Sequence, residues 1–477
     1  MDFALAAPEL ALTVFIFIIF GIDLFLPKDN KDILGPLAAV FLVCVAAVEG
    51  VQETMGSLYG EIYIVDTYTH FFRLFFPLIM FFVVLVSLDY VRQRLRYPGE
   101  FYGLMLMATL AMILMAGAGE LITAYISLEL LNFSLYVLTA YAKDDFRSNE
   151  AGVKYIILSV VASALLLYGI SFLYGVTGST SYGGIAQALS SGGAGVQPGL
   201  IIGLVLMTAG LGFKVAAVPF HMWTPDVYEG APTPVTALIA VASKAAGFAL
   251  LLRLFGVALL PVADSWQPLV AVLAALTMTL GNLVAIQQRN IKRLLAYSSI
   301  SQVGYLLMGV ATLSQFSASA IIFHMVGYAV TNLAAFLCVI VYQNMTGEEE
   351  IDQYAGMAQR SPFLALGLTA ALFSLAGMPL FAGFTTKFYL FTAVASQGYT
   401  WLMALAVVNS LISLYYYLKV IRNMYVSAPA DGRSLALPGL TASTLAVLVF
   451  LVVIFGVYPS PLIDMINVAT RVLGLPV

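Results

Sequence analysis

Apolar runs long enough to cross a lipid bilayer recur along this chain from end to end, and no water-soluble fold can bury so many. A hydrocarbon core of about 30 Å needs roughly 20 such residues per spanning helix. On that ruler the 477 residues divide into about fourteen spans. They lie near 8–26, 34–51, 71–90, 101–118, 120–141, 153–176, 198–220, 234–256, 266–287, 291–313, 316–343, 361–396, 400–424 and 441–458. Hydrophobic residues make up 61% of the chain and charged residues only 10%, where a soluble domain would carry about 25% charge. Lipid offers no partner to a backbone N–H or C=O, so each span must be a helix. The expected fold is an all-α polytopic membrane protein.

The same composition excludes several functions. A net charge of −4 with no basic block leaves nothing to hold nucleic acid. Cys44 and Cys338 stand alone in apolar runs, so no CxxC metal site, iron–sulfur ligand set or disulfide framework is expected. No cofactor motif is legible, and the first apolar run, lacking a basic leader and a small-residue cleavage site, is expected to be a retained helix.

Cytoplasmic loops of membrane proteins collect Lys and Arg. Loops after odd-numbered spans, with the adjoining helix ends, hold fifteen of the twenty-one: Lys28, Lys31, Arg92, Arg94, Arg96, Lys143, Arg147, Lys154, Arg289, Lys292, Arg293, Arg360, Lys419, Arg422 and Arg433. The other side holds Arg73, Arg253 and Arg471. Both termini are therefore expected to face the periplasm. On that side the uncharged Gly/Ser-rich stretch 178–198 reads as a flexible connector, and residues 460–474 as a short surface helix.

Four residues fall where the bilayer should reject them: Glu129 in the fifth span, Lys214 in the seventh, Lys244 in the eighth and Lys387 in the twelfth. Each charge at a helix centre costs about 2.5–3.5 kcal/mol on insertion scales, so the four together cost on the order of 10 kcal/mol. One reading makes them packing pairs or lysines snorkelling to an interface. The other makes them proton carriers. Desolvation favours the neutral form of a lysine and a nearby carboxylate favours the charged form, so a lysine whose partner can approach or retreat acts as a switch. Glu129 and Lys214 are candidates for such a pair. His221 and His324 are further candidates, since histidine exchanges protons near neutrality; one hydrogen bond made by a neutral ring is the plainer alternative. His70 reads as interfacial, while Asp226, Glu229 and the run Glu348–Glu350 read as solvated loop.

The twelfth span is too long for one straight helix, and Gly377-Met378-Pro379 sits in its middle; the seventh contains Val218-Pro219. Both read as helices broken inside the membrane, a feature of ion sites in transporters. A lysine flanks each break. Four spans separate the two, which suggests two five-helix repeats, helices 4–8 and helices 9–13, inverted because five is odd. The corresponding division is 1–100 (helices 1–3), 101–256, 257–425 and 426–477 (the last helix and a periplasmic tail).

Lys292-Arg293-Leu-Leu-Ala-Tyr-Ser-Ser-Ile-Ser-Gln-Val-Gly-Tyr305 and Gly377-Met-Pro-Leu-Phe-Ala-Gly-Phe-Thr-Thr-Lys387 resemble signatures of the antiporter-like subunits of respiratory complex I, the proton-translocating NADH:quinone oxidoreductase. So do Phe213-Lys214, Pro219-Phe220-His221 and the stretch from Trp223 to Pro234. Lys387, where M-type chains are expected to carry Glu, and Tyr328-Ala-Val-Thr-Asn332 are more similar to the N-type branch. The resemblance implies two half-channels joined by a polar line, with Glu129 and Lys214 at the input, Lys244 as central relay, Lys387 at the exit and His324 with water as a bridge; His221, beside the first break, is a further candidate on its own chemistry. It implies that NADH, FMN, iron–sulfur clusters and quinone belong to partner subunits, neighbouring antiporter-like subunits being the nearest partners. Moving a proton against about 200 mV costs roughly 4–5 kcal/mol, which those partners would supply. Three rivals remain: an Mrp-type cation/proton antiporter or membrane hydrogenase subunit, a non-conducting structural spacer, and a transporter for an organic solute.

Overall fold

The computed structural model describes residues 3–52, 54–191, 198–429 and 434–476. Arg433, counted above among the loop cations, lies outside them. Along the described chain run α1 (Ala7–Phe25), α2 (Leu34–Gly50), α3 (Thr67–Arg94), α4 (Pro98–Gly117), α5 (Leu121–Thr139), α6 (Phe146–Thr177), α7 (Tyr182–Ser190), α8 (Pro198–Val215) and α9 (Trp223–Gly230). The second half holds α10 (Thr233–Ala258), α11 (Ala263–Ala285), α12 (Ile291–Ala311), α13 (Gln315–Thr346), α14 (Pro362–Ala376), α15 (Ala382–Ser396), α16 (Thr400–Val426), α17 (Gly439–Val457) and α18 (Ser460–Thr470). Thirteen helices among the described residues are long and apolar enough to cross a membrane. The remaining expected span, 361–396, is the pair α14 and α15, neither of which crosses alone.

Several boundaries follow from local chemistry. Asp66, Glu120 and Ser314 each accept a hydrogen bond from the backbone N–H three residues on, and Asn290 accepts from Lys292 and Arg293; these are N-caps that satisfy otherwise orphaned donors. α13 ends at Gly347, whose φ of 80° is left-handed.

Burial is uneven and informative. The apolar windows of α10 and α13 are 100% buried inside the protein, while those of α1, α16 and α17 are 33%, 33% and 22% buried. α10, α12 and α13 therefore form the interior, and charges on them meet protein instead of lipid. Two π-helical turns, Ile239–Ser243 and Leu254–Ala258, interrupt α10; nothing in the apolar pattern announced them.

Three loop expectations need correction. The stretch read as a flexible connector contains α7, whose Tyr182, Ile185 and Leu189 are buried. Asp226 and Glu229 are ion-paired instead of simply solvated: Arg293 Nη1 lies 2.9 Å from Asp226 and 2.8 Å from Glu229, and Lys154 Nζ lies 2.7 Å from Asp226. Within Glu348–Glu350, Glu349 accepts from Lys292 Nζ at 3.1 Å. His70 contacts the buried Glu49. Each involves partners far apart in sequence, so a local charge pattern could not show it. The surface helix expected over 460–474 is α18, and a small antiparallel hairpin, Gly56–Leu58 with Tyr63–Val65, lies beside the start of α3.

Candidate functional site

Both expected breaks are present. After α8 the chain turns at Ala216, whose φ is 66°. The loosened backbone finds partners within the protein, with Val218 N–H donating to Thr277 Oγ1 at 3.0 Å and Trp223 Nε1 to the Phe213 carbonyl at 3.0 Å. That is the condition under which irregular backbone survives in a membrane. α14 ends at Gly377, φ 87°, and α15 starts after Leu380, φ 78°. The two halves nearly touch at Gly383, where a Cβ would lie 1.7 Å from the Ser374 carbonyl oxygen.

The lysines are inside the protein: Lys214 is 3% exposed, Lys244 3% and Lys387 4%, which rules out snorkelling. Lys214, in the last turn of α8, donates to Asn132 Oδ1 at 2.8 Å. Asn132 donates in turn to Glu129 Oε1 at 3.2 Å, and Ser163 donates to the same oxygen at 2.5 Å. The expected direct Glu129–Lys214 pair is thus spaced by an amide: Asn132, three residues beyond Glu129, shares its helix face and reaches the ammonium first.

Lys244 follows the first π-turn of α10, donates to Ser299 Oγ, and sits 5.6 Å from the centre of the Tyr228 ring. Gly247, one turn on, packs against the Lys214 stem, its Cβ position 3.5 Å from Lys214 Cγ. On the other side a cavity of about 10 Å³ is lined by Lys244, Ser299, Gln302 and Tyr328, room for no more than one water.

Gln302 continues the line. Its Nε2 donates to the Leu375 carbonyl at 3.2 Å and its Oε1 meets His324 Nε2 at 3.1 Å. His324 Nδ1 meets Thr386 Oγ1 at 3.0 Å. With the Gln302 amide oriented by a carbonyl, His324 carries its proton on Nε2 and accepts on Nδ1. Lys387 donates to that same Leu375 carbonyl at 2.7 Å and to Ser410 Oγ at 3.3 Å, 5.0 Å from the Tyr305 ring centre. Its ammonium therefore sits at the carbonyl end of α14, where the helix dipole favours a cation.

Five of the six singled-out residues thus fall in three hydrogen-bonded groups: Glu129–Asn132–Lys214, then Lys244–Ser299, and, facing the latter across the small cavity, Gln302 with His324 and Lys387, the lysine joined through the shared Leu375 carbonyl. His221 stands apart in the α8 break with Nδ1 buried and unpartnered among the described residues. Asn132, Ser299, Gln302, Thr386 and Ser410 join the site without having stood out in the sequence. Ser299 and Gln302 lie three apart inside the Lys292–Tyr305 motif, and that spacing on one helix face was the available signal. Among the described residues, no group of three or more His, Cys, Asp or Glu is arranged to hold a metal ion.

At the cation-rich face Asp226 sits in a cavity of about 290 Å³ with Arg147, Glu150, Lys154 and Arg293. Burial alone would raise its carboxyl pKa, but hydrogen bonds and charge from Lys154 and Arg293 outweigh this and hold it below the usual carboxylate range.

Comparison with known proteins bears out the resemblance. The family model described as "NADH:quinone oxidoreductase/Mrp antiporter, TM" matches residues 118–413. A protein named NADH-quinone oxidoreductase subunit N from Desulforamulus reducens is 41% identical over 471 residues, covering 98% of each chain. A chain of respiratory complex I from Thermus thermophilus with bound aureothin is similar with TM-score 0.80 at 30% identity, covering 96% of this chain and 98% of that one. A chain of a membrane-bound sulfane sulfur reductase, an archaeal respiratory membrane complex, has TM-score 0.88 at 25% identity, covering 98% and 97%. With the model matching well over half its residues and a relative of that identity matching nearly all of them, the chain belongs to the NADH:quinone oxidoreductase/Mrp antiporter transmembrane family.

Proposed function

We propose that this chain is a proton-translocating membrane subunit of an NADH:quinone oxidoreductase, moving protons through a buried Glu/Lys relay while quinone reduction elsewhere in the complex supplies the energy. The observation that carries this reading is the row of three lysines, each no more than 4% exposed, whose ammonium groups, among the described residues, donate to an amide oxygen, hydroxyls and a backbone carbonyl instead of to carboxylates. A structural charge inside a membrane is expected to be paired; among the described residues the hydrogen-bond partners of Lys244 and Lys387 are neutral, so each can lose its proton without stranding a buried anion. Glu129 acts as the modulating carboxylate for Lys214 through Asn132, Lys244 as the central relay, Gln302 with His324 as the bridge, and Lys387 as the exit-side donor. His221 is the least supported member.

Two inverted five-helix units, 101–256 and 257–425, follow from a lysine beside a helix break in each. The cation-rich face is then cytoplasmic, both termini periplasmic, and the membrane a bacterial inner membrane. FMN, iron–sulfur clusters and the NADH and quinone sites belong to partner subunits, with other antiporter-like subunits as neighbours. The full-length similarity to proteins named subunit N favours this over an Mrp-type antiporter. The test is Glu129→Gln, with assembly verified: a relay subunit loses proton pumping and coupled turnover, whereas a spacer keeps both.

A further inference from the structure

The relay as described begins at Glu129, in the middle of α5, and leaves open how a proton arrives there. α5 presents Glu129, Asn132, Tyr136 and Thr139 at spacings of three, four and three; α6 presents Tyr155, Ser159 and Ser163 at spacings of four. Such spacings put each set on one helix face. The helices run antiparallel and the two faces meet. Ser163 donates to Glu129, Ser159 stands beside Tyr136, and Ser148 Oγ donates to the Thr139 carbonyl at 2.7 Å. Trp223, at the head of α9, stacks on Tyr155 with centroids 4.7 Å apart and brings Thr224 to the same end.

Thr139 Oγ1 and Thr224 Oγ1 are buried with no hydrogen-bond partner among the described residues, Tyr136 OH and Ser159 Oγ have none besides one another, and Tyr136, Ser159, Thr139 and Thr224 are 4%, 1%, 0% and 0% exposed. Buried hydroxyls left unsatisfied cost about 1–3 kcal/mol each, and in native proteins such groups are met by ordered water. From Thr139 to Glu129 is ten residues, about 15 Å of helix rise. At its outer end the face passes Ala151 and Lys154 of α6, which line the cavity holding Asp226 and Arg293.

We propose that the α5–α6 seam holds a file of water, running from this charged cavity past Thr224, Thr139, Ser159 and Tyr136 to Glu129, and that it is the proton uptake path. The proposal rests on the relay reading above and supplies its entrance. Protons hop along the waters and hydroxyls with no net chemical change, each oxygen accepting one as it passes one on.

The test separates water from pumping. In inverted membrane vesicles holding the assembled complex, with Cys44→Ala and Cys338→Ala as background, Ser159→Cys is exposed to Ag⁺ from the cytoplasmic face; after denaturation, free thiols on this chain are labelled with a maleimide. Ag⁺ should protect Ser159→Cys and leave Val160→Cys, whose side chain faces outward at 55% exposure, fully labelled. Equal labelling of the two overturns the proposal. Should Ser159→Cys not assemble, Thr139→Cys is read in the same way. Plugging the seam with Ser159→Leu should slow pumping at least tenfold; unchanged pumping in an assembled complex likewise overturns it. Because Ag⁺ protection reports hydration alone, it stands or falls independently of substitutions in the lysines.

Discussion

Gln302 is the sharpest place to perturb this chain, because one amide holds together groups from three helices. Its Oε1 accepts a hydrogen bond from His324 Nε2–H, and its Nε2 donates to the Leu375 carbonyl that also receives Lys387. Gln302→Leu keeps roughly the volume and removes both bonds. Leu375 retains Lys387, so its carbonyl stays satisfied, but His324 Nε2–H is left buried without an acceptor, at a cost of about 1–3 kcal/mol. Within the line that cost falls on the step joining Lys244 to Lys387, and an energy of that size corresponds to about 5- to 150-fold in the rate or equilibrium it opposes. Coupled pumping should therefore fall by that factor in complexes that assemble in normal amount, and Gln302→Glu, which retains an acceptor for His324, should recover part of it. An assembled Gln302→Leu complex that pumps at the unmodified rate would refute the bridge.

Three further outcomes follow from the same geometry. Gly383→Ala places a Cβ 1.7 Å from the Ser374 carbonyl; backbone cannot yield as a side chain does, so this variant should fail to accumulate in the membrane, read by native gel, while Gly439→Ala, with open space around it, should accumulate normally. Asp66 and Arg253 form a bidentate pair at 2.7 and 2.9 Å between α3 and α10; removing one partner strands a buried charge, so Asp66→Ala should destabilise by about 3–5 kcal/mol, with the double replacement by Met milder than either single change. Burial would raise the Asp66 carboxyl, yet Arg253 and Thr69 hold it below its ordinary value. A depressed folded-state pKa gives stability that is full above about pH 4 and lost as pH falls through the folded value. Thermal unfolding of the complex should therefore be more acid-sensitive with Asp66 than with Asp66→Asn.

Much of this fold was legible in the sequence because lipid imposes one rule. A run of about 20 apolar residues must be a helix, and Val218-Pro219 and Gly377-Met378-Pro379 marked the two breaks. A lysine in such a run is equally conspicuous, and all three proved buried. Uncharged partners were not conspicuous. Asn132 and Gln302 are two among many polar residues in apolar helices, and only the approach of α8 to α5, and of α12 to α14, makes them links. The same holds for the Arg293–Asp226–Lys154 group, assembled from positions 67 and 72 residues apart. The π-turns of α10 leave no trace in periodicity, and α7 was hidden because small uncharged residues read as linker even where Tyr182, Ile185 and Leu189 supply a buried face.

The most direct test of the central claim is redox-coupled proton pumping in membrane vesicles carrying Lys214→Ala or Lys387→Ala, with assembly of the complex measured in the same preparation. The relay predicts that assembled complexes of either variant lose pumping or coupled turnover; normal pumping in both would contradict it and leave this chain a structural element of the membrane arm.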